Sequence, residues 1–129
     1  NEARHAQLLA DHLPGWVIEH EPETLLDLHE PTVVDGVARN DVDAVSRSYT
    51  CDFVLANGLA RVCVESKYDE NGVTLEAISK ARLLRDRTLT RVVFLVGNGH
   101  DVRWLDLGGI RSDDEPQWLA LHEFPISGV

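Results

Sequence analysis

The sequence predicts an α/β domain with a mixed central sheet flanked by helices. Three observations carry that prediction: Asn57-Gly58 lies between two β-prone runs, a segment of helical periodicity follows, and an apolar run of strand length comes after it. A chain of 129 residues matches the common size of one domain and can bury a core without staples.

The elements follow in order. Glu2 to Leu13 has an apolar stripe through Leu8, Leu9 and Leu13, with Ala3, Ala6 and Ala10 as strong helix formers, and Pro14-Gly15 ends it. Trp16-Val17-Ile18 has strand composition. His20 to Thr50 is a long acidic stretch with Pro22, Pro31 and Gly36, and 24–28 is its candidate element. Residues 51–56 and 59–65 form the predicted hairpin around Asn57-Gly58, whose turn positions favour positive φ. Val73 to Arg87 reads as a helix with Leu75, Ile78, Ala81 and Leu84 facing inward and Thr74 or Gly72 as its cap. Arg91 to Val96 reads as a buried central strand, and Gly97-Asn98-Gly99 as a turn. Val102 to Leu107 is a further strand, and Gln117 to His122 a short helix.

Composition narrows the function classes. With 43% apolar and 26% charged residues the chain is globular in type rather than disordered. No apolar run approaches the roughly 20 residues that span a bilayer, and no signal peptide is visible, so a cytoplasmic protein without membrane contact is expected. The lack of any Met suggests a processed end or a domain cut from a longer chain. Two cysteines are too few for a disulfide scaffold and fit a reducing compartment. The net charge of −10 argues against a sequence-independent nucleic-acid clamp. It hides an uneven distribution: residues 61–91 carry seven basic and five acidic side chains, or +2, against −12 elsewhere. That segment is expected to face a polyanionic substrate, with Lys80, Arg82 and Arg85 as candidate nucleic-acid-binding residues. Against this stand a surface pair of Lys80 with Glu76, four residues before it, and arginines on a solvated face.

The hairpin register points to chemistry. With Asn57-Gly58 as a two-residue loop, Ala56 faces Leu59, Val54 faces Arg61 and Asp52 faces Cys63. Asp52 then shares a face with Cys63, Glu65 and Lys67, and Asp52 and Glu65 are diagonal neighbours at roughly 7–8 Å. In the same register Cys51 and Cys63 point to opposite faces and form no disulfide. Two carboxylates on one face repel unless a cation neutralises them. A hard divalent ion such as Mg²⁺ or Mn²⁺ suits an all-oxygen site of one or two carboxylates, waters and substrate phosphate.

Asp52 followed, after twelve intervening residues, by Glu65-Ser66-Lys67 resembles the PD-(D/E)xK nuclease superfamily, which includes type II restriction endonucleases and archaeal Holliday junction resolvases. Cys51 stands where the motif has Pro. The family's order of helix, strand, hairpin, helix and strand matches residues 2–96, and Glu2 to Leu9 with Gly15 to Ile18 is similar to the first helix and strand of resolvase-like members. The resemblance implies a restriction-endonuclease-like αβββαβ core and a Mg²⁺-dependent phosphodiesterase acting on DNA. Asp52 and Glu65 would hold the metal, with the backbone carbonyl of Ser66 as a further ligand. Lys67 would act on the attacking water, and Glu2 would be an accessory acid. Lys80 would face substrate phosphates. The chain is near the family's minimum size, so a homodimer or additional domains are expected to complete substrate recognition.

Other readings compete. Asp52, Glu65 and Lys67 are also what a solvated sheet face with a cross-strand ion pair contains. Glu2 is also a first-turn acid favoured by the helix dipole, with Asp11 as a rival accessory acid. Asp41-Val42-Asp43 is a rival first motif. The six histidines show no zinc spacing and read as structural or surface residues. At the level of function, the alternatives are a non-catalytic nucleic-acid- or protein-binding module and an RNA-cleaving or toxin-like effector nuclease.

Overall fold

The computed structural model describes residues 2–20 and 51–125, together with the backbone at 26–30, 32–34, 37–39 and 45–49. It is a mixed α/β structure. A six-stranded sheet runs, strand by strand across it, through Val17–His20, Phe53–Asn57, Ala60–Lys67, Arg91–Val96, Arg103–Asp106 and Gln117–Ala120, and a helix packs on each face. The elements are α1 (Glu2–His12), β1 (Val17–His20), β2 (Leu26–Glu30), β3 (Thr32–Val34), β4 (Val37–Arg39), β5 (Val45–Tyr49), β6 (Phe53–Asn57), β7 (Ala60–Lys67), α2 (Leu75–Thr88), β8 (Arg91–Val96), β9 (Arg103–Asp106) and β10 (Gln117–Ala120). In the acidic stretch β2 pairs with β5 and β3 with β4, forming two separate small sheets. The candidate element at 24–28 begins outside the described residues, and Asp41-Val42-Asp43 lies outside them entirely.

The apolar pattern explains the layering. Even positions of β7 and odd positions of β6 and β8 bury Val62, Val64, Phe53, Leu55, Val93 and Leu95 beneath Leu8 and Leu9 of α1 and Leu13 just after it. The alternate positions bury Val54, Cys63, Val92, Phe94 and Val96 beneath Ala81 and Leu84 of α2. β7 and β8 run parallel, joined through α2, and are covered on both faces, which accounts for the unbroken apolar run of β8. Thr74 caps α2, its hydroxyl oxygen accepting from the Ala77 N–H at 3.0 Å.

Four expectations are corrected. First, the hairpin turns on Gly58-Leu59 rather than Asn57-Gly58: Asn57 pairs with Ala60, and Val54 with Cys63. Gly58 has φ +61° while Leu59 is not in the left-handed region, the pattern of a turn with Gly at its first central position. Such a turn needs positive φ at one residue only, so Asn57 stays in the strand. The faces survive because the pairing shifts by an even number, but continued by one residue it sets Asp52 level with Glu65 instead of Cys63.

Second, Cys51 and Cys63 join the same buried cluster, because residue 51 precedes β6 and does not follow its alternation. Both remain thiols, and Cys51 Sγ donates to the Phe53 carbonyl at 3.1 Å.

Third, residues 117–120 form an edge strand on β9, not a helix. Pairing with β9, fixed further by the Trp104 indole N–H donating to the Leu121 carbonyl at 2.9 Å, overrides the helical propensity of Leu and Ala.

Fourth, Leu75 is exposed in the first turn of α2, and Arg85 takes an inward position with Ala81 and Leu84. The Arg85 guanidinium, 1% exposed, donates to the carbonyls of Leu107 and Ser112 at 2.9 and 2.8 Å and pairs with Asp86 at 2.7 Å. Arg85→Leu leaves those acceptors unpaired and is expected to lower stability by about 3 kcal/mol in urea unfolding, with an unchanged m-value. Lys80→Ala in the exposed pair with Glu76 is expected to change stability by about 0.5 kcal/mol or less.

Candidate active site

The chemistry-bearing residues gather at one end of the six-stranded sheet, where the parallel strands β7 and β8 finish. β6 begins there, since Phe53 pairs with Val64, and β1 ends there, since His20 pairs with Phe53. Carboxyl ends of parallel strands are where open α/β sheets usually bind ligands.

Asp52 enters from the residue before β6. Its Oδ2 accepts from the backbone N–H of Ser66 at 2.7 Å, which ties the carboxylate to β7 at the Glu65-Ser66-Lys67 segment. Burial pushes the Asp52 pKa upward; the Ser66 N–H opposes this, and the Glu2 carboxyl adds to it. Glu65 is more perturbed: burial first, and then the charge of Asp52, push its pKa up to about 7, partly offset by Lys67. Lys67 acts electrostatically on both carboxyls. Its stem passes Gly72, where a Cβ would sit 3.2 Å from Lys67 Cδ, so the glycine leaves room for the lysine's path.

Glu2 reaches the same end from the first turn of α1. It accepts from His20 Nε2 at 2.9 Å, and its carboxyl lies close enough to Asp52 for the two to influence each other's titration. The His20 bond is the main cause that holds its pKa below the usual carboxylate value. His20 also stacks on Phe53 at 4.6 Å between ring centroids.

Sequence reasoning assigned no site role to His5, although it lies three residues after Glu2 on the same helix face. His5 is wholly buried. Its Nε2 lies 2.8 Å from the Gly97 carbonyl, which can only accept, so Nε2 carries the proton. Nδ1 is then the acceptor for the Ser66 hydroxyl. Burial lowers the His5 pKa and keeps the ring neutral, as this pairing requires. Gly97 in turn donates its N–H to the Lys67 carbonyl at 3.0 Å. Its φ of +122° and the 2.6 Å approach that a Cβ would make to the Asp101 carbonyl oxygen both demand glycine.

The cationic candidates each bond to a partner other than the site carboxylates. Lys80 pairs with Glu76 at 3.1 Å on the exposed side of α2. Arg82 donates to the Asp114 carbonyl at 2.8 Å. Arg85 is the buried residue described above and has no face to offer a phosphate. Arg91 pairs with Asp106 at 2.9 Å. The expectation that 61–91 forms a basic, substrate-facing surface therefore fails for Arg85, whose guanidinium is buried, while the charge of Arg91 is matched by Asp106. Charge counting along the sequence cannot tell an arginine spent on internal carbonyls from one facing solvent.

Among the described residues no group of three or more His, Cys, Asp or Glu side chains forms a ready-made metal cage. Two desolvated carboxyls beside a backbone carbonyl are nevertheless the donor set that a hard cation uses when waters and substrate phosphate complete its shell. No family model matches the chain, and no curated protein matches it. No described helix is long and apolar enough to cross a membrane.

The raised Glu65 pKa carries a stability consequence. The unfolded group titrates near 4.5 and the folded one near 7, so the folded state binds more protons between those values. In chelator, stability should fall as pH rises from about 4.5 to about 7, by up to about 3 kcal/mol, and level off above. Glu65→Gln should flatten that part of the profile, measured by urea unfolding at a series of pH values. An unchanged slope would show that Glu65 is not the group responsible.

Proposed function

We propose that the chain is a metal-dependent nuclease that hydrolyses DNA phosphodiester bonds, built on the restriction-endonuclease-like arrangement of the PD-(D/E)xK superfamily. The observation that carries this reading is the pair of desolvated carboxyls, Asp52 and Glu65, at the carboxyl end of the sheet with Lys67 acting on both. A charge pair of this kind is costly to a fold that makes no use of it. Further support comes from the order α1, β1, the β6–β7 hairpin, α2 and β8, with β7 and β8 parallel.

In this reading Asp52, Glu65 and the Ser66 carbonyl hold Mg²⁺ or Mn²⁺. When bound, the ion supplies Lewis-acid stabilisation of charge on the phosphate oxygens. The residues do the rest. Ser66 N–H fixes Asp52, and the His5 bond to the Ser66 hydroxyl fixes the segment that bears the carbonyl. Glu2, held by His20, orients water beside Asp52. Lys67 is an ammonium: it donates and cannot ligate a cation, so its work falls on the attacking water or the phosphate. The attacking water gives up one proton to solvent as it adds to phosphorus, and the leaving oxygen takes one up as its bond to phosphorus breaks.

Two measurements test the assignment. Mg²⁺ or Mn²⁺ should raise the melting temperature of the wild type, and Asp52→Asn should remove most of that rise. Lys67→Ala should keep the metal-induced rise but lose about 10²–10³ in the rate of metal-dependent cleavage of plasmid and branched DNA. Equal rates would remove Lys67 from the mechanism. No cleavage of DNA or RNA by the wild type with either metal would favour a non-catalytic binding module.

A further inference from the structure

A groove of about 800 Å³ opens at the same end of the sheet, on the side of β8 away from Asp52. It begins at Tyr68, the residue after Lys67, passes Gly97, and ends on Trp118 of the edge strand β10. The groove is joined to the carboxylate site by the Gly97 N–H that binds the Lys67 carbonyl at 3.0 Å. Both large aromatics of the groove face solvent, Tyr68 at 62% and Trp118 at 38% exposure. The Arg103 guanidinium lies 4.3 Å from the centroid of the Trp118 ring and pairs with Glu70, which holds the indole in place without covering it fully.

The charge of this groove decides what it suits. Asp69, Glu70 and Asp101 line it beside the single arginine, Arg103. A phosphate backbone lying within it would meet three carboxylates. A heteroaromatic base meets two exposed rings to stack on, and carboxylate acceptors for the N–H groups of its edge, which every base carries. Bases become available to such a groove only where the strand is unpaired.

We propose that this groove takes the unpaired bases of a DNA strand, stacked on Trp118 and Tyr68, whose phosphate backbone crosses the Asp52, Glu65 and Lys67 site. The identity of the polymer rests on the nuclease reading; the affinity of the groove for bases does not. Stacking on aromatic side chains tolerates any base, so the groove selects single-stranded or frayed DNA over closed duplex without reading sequence.

The test separates binding from cleavage. Asp52→Asn protein in chelator is titrated with a labelled oligothymidylate of about 12 nucleotides, with the matching oligouridylate, and with a blunt duplex of the same length. The oligothymidylate should bind more tightly than the duplex. Trp118→Ala and Tyr68→Ala, each added to Asp52→Asn, should weaken single-strand binding roughly tenfold and leave duplex binding unchanged. Both positions are solvent-facing, and a retained melting temperature shows that the variants fold. Duplex bound as tightly as single strand, or single-strand affinity unmoved by both substitutions, overturns the inference; tighter binding of the oligouridylate overturns the assignment to DNA. If the wild type cleaves in a Lys67-dependent manner while single-strand binding ignores Trp118 and Tyr68, the groove fails and the nuclease reading stands. If stacking behaves as described and nothing is cleaved, the nuclease reading fails and the groove remains.

Discussion

The arrangement at the sheet end depends on one buried imidazole. His5 sits where α1 meets the ends of β7 and β8, and it has no water to fall back on. A neutral ring offers one donor and one acceptor, and both are used: the donor on the Gly97 carbonyl, the acceptor on the Ser66 hydroxyl. This fixes three chain segments with one side chain. It holds the first turn of α1 against the sheet, and so brings Glu2 beside Asp52. It holds Ser66, whose N–H is bonded to Asp52. It holds Gly97, whose N–H is bonded to the Lys67 carbonyl. Asp52, Glu65 and Lys67 are each in this network or one residue from a member of it, and Glu2 lies one helical turn from His5.

That network makes an unfavourable charge arrangement tolerable. Asp52 and Glu65 are pushed toward their neutral forms mainly by burial, and Lys67 relieves only part of the strain. The apolar clusters on both faces of the sheet supply the stability that offsets it. Buried carboxyls with raised pKa values are more common at functional sites than elsewhere, and the reason is physical: an environment that penalises the ionised pair strengthens its attraction for a cation entering between them.

Much of this was legible in the sequence because it rested on periodicity. α1, α2, β8 and the two hairpin strands are carried by apolar positions at spacings of two or by helical stripes, and their bounds differ from the expected ones by two residues or fewer. The shared face of Asp52, Glu65 and Lys67 was legible for the same reason, since an even shift of register preserves alternation. The true register was not. Asn-Gly and Gly-Leu are both workable two-residue turns, and the choice is settled by pairing along the whole hairpin, which places Asn57 opposite Ala60. The strand at 117–120 was hidden because its pairing partner, β9, lies outside any local window. Arg85 was hidden because its partners are backbone carbonyls 22 and 27 residues away, which no charge pattern marks. His5 was hidden likewise: its partners are 61 and 92 residues distant.

The internal use of the arginines changes how the acidic chain must meet a polyanion under the proposed reading. A basic surface binds nucleic acid by releasing condensed counterions, and its affinity scales with the number of phosphates it neutralises. Here Arg85 serves the loop at 107–112, Arg91 serves Asp106, Arg82 serves the Asp114 carbonyl, and Arg103 serves Glu70 and Trp118. Few phosphates can be neutralised by side chains so committed. Attraction must then come from two short-range sources at the sheet end, cations held by the carboxylates and stacking on exposed aromatics. Both act over a few ångströms and neither steers a duplex from a distance. Under that reading the chain would gain from a strand delivered to it, by a second subunit or an attached domain, and would gain discrimination in return, because only a strand that presents both a phosphate and free bases would meet both sources at once.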